Sequence, residues 1–97
     1  MRKESEFQRN LIRAIKQMFP GCIVVKNDPL FNQGIPDLLI LYKRHWAMLE
    51  CKRTIDASRR PNQEFFIEKM NDWSYASFVY PENVKEVLHD LELTFSD

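Results

Sequence analysis

Two apolar runs separated by three polar residues constrain the fold of this chain more than any other feature. The runs span residues 37–42 and 46–53, and the polar residues between them are 43–45. Both runs carry apolar side chains on both faces, which is typical of strands at the centre of a sheet. Since three residues are short enough for a hairpin connection, the sequence predicts a central antiparallel hairpin.

The remaining elements are predicted from hydrophobic periodicity and turn residues. A helix is predicted over residues 4–18, where apolar side chains recur at helical spacing before a Pro-Gly pair. Short β-branched or aromatic runs indicate strands over residues 22–26 and 75–80. Two more helices are predicted from Pro61 and Pro81, because proline is favoured at the first helical position. The expected fold is α/β, a single mixed β-sheet of about four strands flanked by helices in the order αβββαβα.

Length and composition favour one small domain over residues 1–97. Of the 97 residues, 44% are hydrophobic, which supplies enough apolar surface for a core. A chain this short buries only about 60 to 65% of its unfolded surface, so dimerisation is a reasonable expectation. No run approaches the length of a membrane span and the N-terminus lacks the apolar stretch of a secretory signal. We therefore expect a cytoplasmic protein with no membrane association.

The cysteines and histidines do not indicate a disulfide or a zinc site. Cys22 and Cys51 each lie within an apolar, strand-like run, so both are predicted to be reduced core residues. The cysteines and histidines are scattered singly along the chain, whereas structural zinc needs four ligands at workable spacing.

Charge is balanced overall but unevenly distributed. The chain has 14 Lys plus Arg and 14 Asp plus Glu, less basic than is expected of a DNA-coating protein. Residues 43–60 nevertheless hold six basic and two acidic side chains, and the last sixteen residues are strongly acidic. A polyanion would therefore approach the middle of the chain. Phosphate contact and a plain solvated surface are about equally good interpretations of Lys43, Arg44, Arg53, Arg59 and Arg60.

The predicted hairpin brings two carboxylates together. If its turn is centred between Lys43 and Arg44, Asp37 lies directly across from Glu50, and the apolar residues of the two strands also pair across each face. The β-carbons of Asp37 and Glu50 would be about 4.5 to 5.5 Å apart. At this separation two carboxylates repel each other unless a cation lies between them. The pair therefore predicts a hard divalent cation, Mg²⁺ or Mn²⁺, which suits phosphodiester chemistry.

A third candidate group follows on the same strand. Lys52 lies two residues beyond Glu50 and so projects to the same face. Its amine could orient or deprotonate an attacking water, or neutralise charge on a pentacoordinate phosphate. The alternative is a solvated edge with a cross-strand ion pair. The hydrophobic character of both strands favours a functional site, because charges buried there are costly otherwise.

These residues resemble a known nuclease signature. A Gly-Ile-Pro-Asp segment ending at Asp37, then twelve residues, then a Glu-Cys-Lys segment starting at Glu50, is similar to the PD-(D/E)xK motif. It resembles specifically the compact VRR-NUC branch, in which a helical Gln follows, here Gln63. The resemblance implies a restriction-endonuclease-like fold and a metal-dependent DNA endonuclease. It also implies a homodimer of the Holliday-junction-resolvase type that acts on branched DNA.

The same resemblance implies a role for each matching residue. Asp37 and Glu50 would bind the metal, together with the backbone carbonyl of Cys51. Lys52 would be catalytic, and Gln63 would support the site from the following helix.

The resemblance also implies a Glu on the first helix, and the choice between Glu4 and Glu6 stays open. Glu4 lies nearer the apolar stripe of that helix, so periodicity favours it as the catalytic carboxylate.

Other polar and aromatic residues are predicted to be structural. The segment from Asn32 to Gly34 is predicted to shape the turn into the site. Core packing is the better interpretation than base stacking for Trp46, Trp73, Tyr75 and Phe78. An alternative function from another class is a nuclease-like DNA-binding or assembly subunit that does not cleave.

Overall fold

The computed structural model describes residues 3–96, with side chains from residue 5 onwards. Its elements confirm the predicted order αβββαβα. They are α1 (Lys3–Met18), β1 (Ile23–Lys26), β2 (Leu38–Tyr42), β3 (His45–Cys51), α2 (Pro61–Trp73), β4 (Tyr75–Val79) and α3 (Val84–Phe95), with a turn of 3₁₀ helix at Pro81–Asn83 before α3. No helix in this described part of the chain is long and apolar enough to cross a membrane.

The four strands form one mixed sheet in the order β1-β2-β3-β4. β1 and β3 both pair with β2 in antiparallel orientation, and β4 pairs with β3 in parallel orientation. A parallel pair needs a crossover connection, which α2 supplies. In the central hairpin Leu38 lies opposite Leu49 and Leu41 opposite Trp46, which is the predicted register.

Helices cover both faces of the sheet, because side chains alternate between its faces. On one face α1 and α3 pack against the inward residues of β2 and β3 and form the larger core. Its buried members include Leu11, Ile15, Leu38, Ile40, Ala47, Leu49, Cys51, Val87 and Leu91. On the other face α2 packs on a smaller cluster centred on Met48, Met70 and Ala76. By alternation, Asp37 and Glu50 belong to this second face.

The predictions for cysteines and aromatic residues are mostly confirmed. Neither Cys22 nor Cys51 forms a disulfide, and Cys51 is buried whereas Cys22 is partly buried. The prediction was wrong for Trp73, whose side chain is 64% exposed. Trp73 is the last residue of α2 and lies on its outer face, where the Lys69 Nζ is 5.2 Å from the centre of its ring.

A hydrogen bond between two side chains joins β4 to α3. The Tyr75 hydroxyl donates to Asp90 Oδ2 at 2.8 Å. Burial raises the pKa of the Tyr75 hydroxyl, and the hydrogen bond to Asp90 raises it further. The folded state therefore retains this proton at a pH where the unfolded chain loses it.

The stability that Tyr75 contributes is expected to depend on pH. Because its pKa is higher in the folded state, the contribution is complete below about pH 10 and falls as pH rises above that value. Urea unfolding of wild type and Tyr75→Phe should differ by about 1 to 2 kcal/mol at pH 7, and by about 1 kcal/mol less at pH 11. A difference that stays constant across this range would show that Tyr75 ionises equally in both states.

Candidate active site

The site lies where β2 begins and β3 ends. Asp37 directly precedes β2, and Glu50 is the penultimate residue of β3. Glu50 is only 5% exposed and is the one charged side chain that is buried among residues 5–96. The Lys52 backbone N–H donates to the Val79 carbonyl at 2.8 Å, which holds the chain beyond β3 against β4.

Reciprocal hydrogen bonds hold the two carboxylates opposite each other. The Asp37 backbone N–H donates to Glu50 Oε1 at 3.1 Å, and the Cys51 backbone N–H donates to Asp37 Oδ2 at 2.9 Å. Each carboxylate therefore accepts a hydrogen bond from a backbone N–H across the hairpin. Because these bonds tie each side chain to backbone, the carboxylates can separate only if the two hydrogen bonds break.

Gln63, from the first turn of α2, links the acid to the amine. Its Nε2 donates to Glu50 Oε2 at 3.0 Å, while its Oε1 accepts from Lys52 Nζ at 3.0 Å. The backbone N–H of Arg60 also donates to this Oε1, at 3.1 Å, which fixes the side chain to the start of the helix. Lys52 Nζ lies 3.9 Å from Glu50 Oε2. Gln63 therefore contacts both the Glu50 carboxylate and the Lys52 amine.

The environment of Asp37 disfavours an isolated negative charge. Burial raises the pKa of its carboxyl, although the Cys51 N–H and the charge of Lys52 act in the opposite direction. A bound cation would offset the cost of this desolvation, since an opposite charge within a few ångströms favours the ionised form.

An open cleft leads from solvent to the carboxylates. It has a volume of about 200 Å³, several times the roughly 30 Å³ that a water molecule occupies. The residues that line it are Pro29, Leu30, Gln33, Gly34, Ile35, Asp37, Glu50, Arg60, Asn62 and Gln63. The cleft therefore lies between the loop before β2 and the first turn of α2.

Gly34 allows the loop before β2 and the first turn of α2 to pack closely together. Its φ is +90°, and a Cβ at this position would lie 2.7 Å from Asn62 Cγ and 2.9 Å from the Asn62 carbonyl carbon. Both the left-handed backbone and the close approach require glycine. The turn that was predicted around Gly34 thus sets the distance between the loop and the helix that carries Gln63.

The donor set fits a hard divalent cation. Asp37 and Glu50 present carboxylate oxygens, and Mg²⁺ is commonly bound by one or two carboxylates with water and substrate phosphate completing its shell. Among the side chains of residues 5–96, no group of three or more His, Cys, Asp or Glu residues converges.

The predicted basic residues do not all lie near the cleft. Arg60 lines the cleft. Arg53 is exposed and follows Lys52 in the chain. Arg59 stacks on an aromatic residue of β4, with its Cζ 4.1 Å from the centre of the Phe78 ring. Lys43 and Arg44 occupy the hairpin turn, at the opposite end of β2 from Asp37. At about 3.3 Å per residue along the strand, the turn is roughly 20 Å from the carboxylates.

The first-helix carboxylate is not placed in the cleft by the described residues. The side chain of Glu4 lies outside them, and Glu6 is exposed. None of the described α1 side chains is among the residues that line the cleft.

Sequence reasoning missed Leu30 and Asn62 as cleft residues. Asn62 was detectable in principle, since it follows the proline that starts α2 and precedes Gln63. Leu30 carries no such signal, because the sequence alone does not fix the geometry of a loop residue seven positions before Asp37.

Comparison with known proteins connects this fold to a named domain. No protein-family model matches the sequence, and no curated protein matches it either. Among solved structures, one described as "VRR_NUC domain protein" matches with a TM-score of 0.69 and 18% identity, covering 96% of this chain and 88% of that chain. Another, described as "VRR_NUC domain", matches with a TM-score of 0.68 and 24% identity, covering 90% of this chain and 95% of that chain. The resemblance noted in the sequence is confirmed in the fold: this chain has the fold of the VRR_NUC domain.

Proposed function

We propose that this protein is a metal-dependent nuclease that hydrolyses phosphodiester bonds in DNA. The observation that carries the proposal is the meeting of Asp37 and Glu50 at one end of the central hairpin, with Lys52 joined to Glu50 through Gln63. Two carboxylates that line an open cleft, with an amine hydrogen-bonded to a glutamine of the same cleft, are suited to phosphoryl chemistry.

Each residue of the site has a separate proposed role. Asp37 and Glu50, with the backbone carbonyl of Cys51, would hold Mg²⁺ or Mn²⁺. When bound, such an ion supplies Lewis-acid polarisation of the phosphodiester and a more acidic water. Lys52 would neutralise the negative charge that grows on the phosphate, or orient the attacking water. Gln63 holds the Lys52 ammonium and the Glu50 carboxylate in place, so that neither reorganises during the reaction.

The surface around the cleft supports a polyanionic substrate. Arg60 lines the cleft and Arg53 follows the catalytic strand, so both are proposed to contact phosphates close to the scissile bond. Contacts from Lys43 and Arg44 would require a substrate that extends about 20 Å from the carboxylates along β2. Arg59 supports this end of the sheet through its contact with Phe78.

Replacing Lys52 tests the proposal as an enzyme activity. Wild-type protein should nick or cut DNA only when Mg²⁺ or Mn²⁺ is present, and Lys52→Met should slow cleavage on the order of a hundredfold. Lys85→Met removes an exposed lysine from α3 and should leave the rate unchanged. Gel analysis of plasmid and oligonucleotide cleavage provides the measurement.

Two outcomes of this experiment would reject the nuclease. One is cleavage by Lys52→Met at the wild-type rate. The other is DNA binding that needs no metal, with no turnover on linear, supercoiled, flap and four-way substrates, which would indicate a DNA-binding or assembly subunit instead.

Selectivity for branched DNA and a homodimer are further proposals that follow from the family resemblance. Two copies would present two clefts and so could make paired cuts across a four-way junction. Molar mass in solution and cleavage of a four-way junction test these proposals together.

A further inference from the structure

Two large apolar side chains project into solvent beside the cleft. Leu30 is 90% exposed and Phe31 is 84% exposed. Leu30 lines the cleft that also contains Asp37 and Glu50. Contiguous exposed apolar surface that is rimmed by polar residues often marks a binding site, and Leu30 and Phe31 are adjacent.

The loop that carries these side chains is fixed relative to Asp37. The Asn27 backbone N–H donates to the Asp37 carbonyl at 2.8 Å, which closes the base of the loop. Within the loop, Asp28 Oδ1 accepts from the Leu30 backbone N–H at 2.9 Å, and the Asp28 carbonyl accepts from the Phe31 N–H at 3.2 Å. The loop backbone at Leu30 and Phe31 is therefore held in place relative to Asp37.

A second hollow of about 310 Å³ lies on this loop, next to the catalytic cleft. Ile35 lines both spaces, so they adjoin. The residues that line the hollow are Asn27, Asp28, Phe31, Asn32 and Ile35. They combine one aromatic face with amide and carboxylate groups, and they include no Lys or Arg.

We propose that this hollow binds an unstacked nucleobase of the DNA strand whose phosphate occupies the catalytic cleft. The inference rests on the nuclease function proposed above. The Phe31 ring supplies a face on which a base stacks. Asn32 and Asp28 supply groups that can hydrogen-bond to base edges, as amides and carboxylates do in nucleic-acid recognition.

Charge decides which part of a nucleotide each space accepts. The carboxylate of Asp28 and the absence of a cationic side chain from the lining disfavour a phosphate in the hollow. Arg60, by contrast, lines the catalytic cleft, and Lys52 is hydrogen-bonded to Gln63, which also lines it. A phosphate in the cleft and its neighbouring base in the hollow therefore satisfy both spaces.

This arrangement selects the substrate by its base stacking. A base within an intact duplex is covered by its neighbours and must be unstacked, at an energetic cost, before Phe31 can reach it. DNA that already carries an unpaired base at this position avoids that cost. The loop should therefore favour DNA with a disrupted stack beside the scissile phosphate.

Binding of two labelled duplexes to wild type and Phe31→Ala tests the hollow directly. One duplex is fully paired and the other carries a single unpaired base, and affinity is measured by fluorescence anisotropy without metal. Wild type should prefer the duplex with the unpaired base. Phe31→Ala should lose on the order of tenfold in affinity for that duplex and less than about threefold for the paired one.

Trp73→Ala is the matched control, because it removes another aromatic side chain that is 64% exposed. Trp73 lies at the far end of α2, about 18 Å along the helix from Pro61, and its replacement should leave the preference unchanged. The hollow is refuted as a base site if wild type shows no preference, or if Phe31→Ala retains it. A different result is that Phe31→Ala dissociates from dimer to monomer and keeps the preference for the unpaired base. That result would show that the exposed Phe31 ring contacts a second copy of the chain and not a base.

Cleavage of the same duplexes with Mn²⁺ separates this inference from the function on which it rests. Cleavage with no Phe31-dependent preference would overturn the base site and leave the nuclease standing. A Phe31-dependent preference in binding, without cleavage, would support the base site and refute the nuclease.

Discussion

Asp37→Asn is expected to lower metal-dependent DNA cleavage on the order of a thousandfold while leaving the fold intact. Loss of groups that merely support a metal ligand typically costs 10- to 100-fold, so loss of a ligand charge should cost more. The substitution preserves shape, because an asparagine oxygen can still accept the hydrogen bond from the Cys51 N–H. Cleavage rates at saturating Mn²⁺, compared with wild type, measure the effect.

The stability of Asp37→Asn without metal should be equal to or higher than that of wild type. Burial raises the pKa of Asp37, so its ionised carboxylate destabilises the folded state at neutral pH. The neutral amide removes this cost. Urea unfolding at pH 7 should therefore show no loss, and Asp72→Asn, at an exposed position of α2, should change neither stability nor cleavage. A large loss of stability in Asp37→Asn would mean that the carboxylate has a structural role.

Gly34→Ala is expected to lower the free energy of unfolding by about 2 to 4 kcal/mol. Two costs add: a left-handed φ of +90° at a residue with a Cβ, and a collision of that Cβ with Asn62 at 2.7 to 2.9 Å. The collision includes the Asn62 backbone, so relief requires α2 to shift. Because Gln63 follows directly, the shift should also weaken its bonds to Glu50 and Lys52 and reduce cleavage at least about tenfold.

Gly21→Ala separates the cost of the left-handed backbone from the cost of a collision with a neighbouring residue. Gly21 has a φ of +91°, nearly that of Gly34, but a Cβ there would have nothing within 4 Å. Its replacement should cost only about 1 kcal/mol and leave cleavage unchanged. Equal losses at the two positions would contradict the proposal that contact between the loop and α2 positions Gln63.

The register of the central hairpin could be predicted because two independent signals agree on it. Apolar side chains alternate between faces with a period of two, so a shift of one residue would move every core side chain of β2 to the wrong face. The short connection through Lys43 and Arg44 allows few other pairings. Once the register is known, the opposition of Asp37 and Glu50 follows directly.

The supporting contacts around this pair could not be derived in the same way. Gln63 reaches the site only because the loop at Gly34 and the start of α2 pack together, and no local pattern specifies that distance. Sequence proximity also gives no distance to the site, since Lys43 and Arg44 are close to Glu50 in sequence but lie at the far end of the strands. Trp73 shows that residue type alone does not determine burial at the last position of a helix.

Thermal melting with and without Mn²⁺ tests most directly whether Asp37 and Glu50 hold a divalent cation together. An ion that binds only the folded state should stabilise wild type by about 2.7 kcal/mol at a free concentration of 100 times its Kd, which corresponds to a rise in Tm of roughly 10 °C or more. Asp37→Asn should show no rise over the same concentrations. An equal rise in both proteins, or no rise in wild type, would contradict the metal site and the chemistry assigned to it.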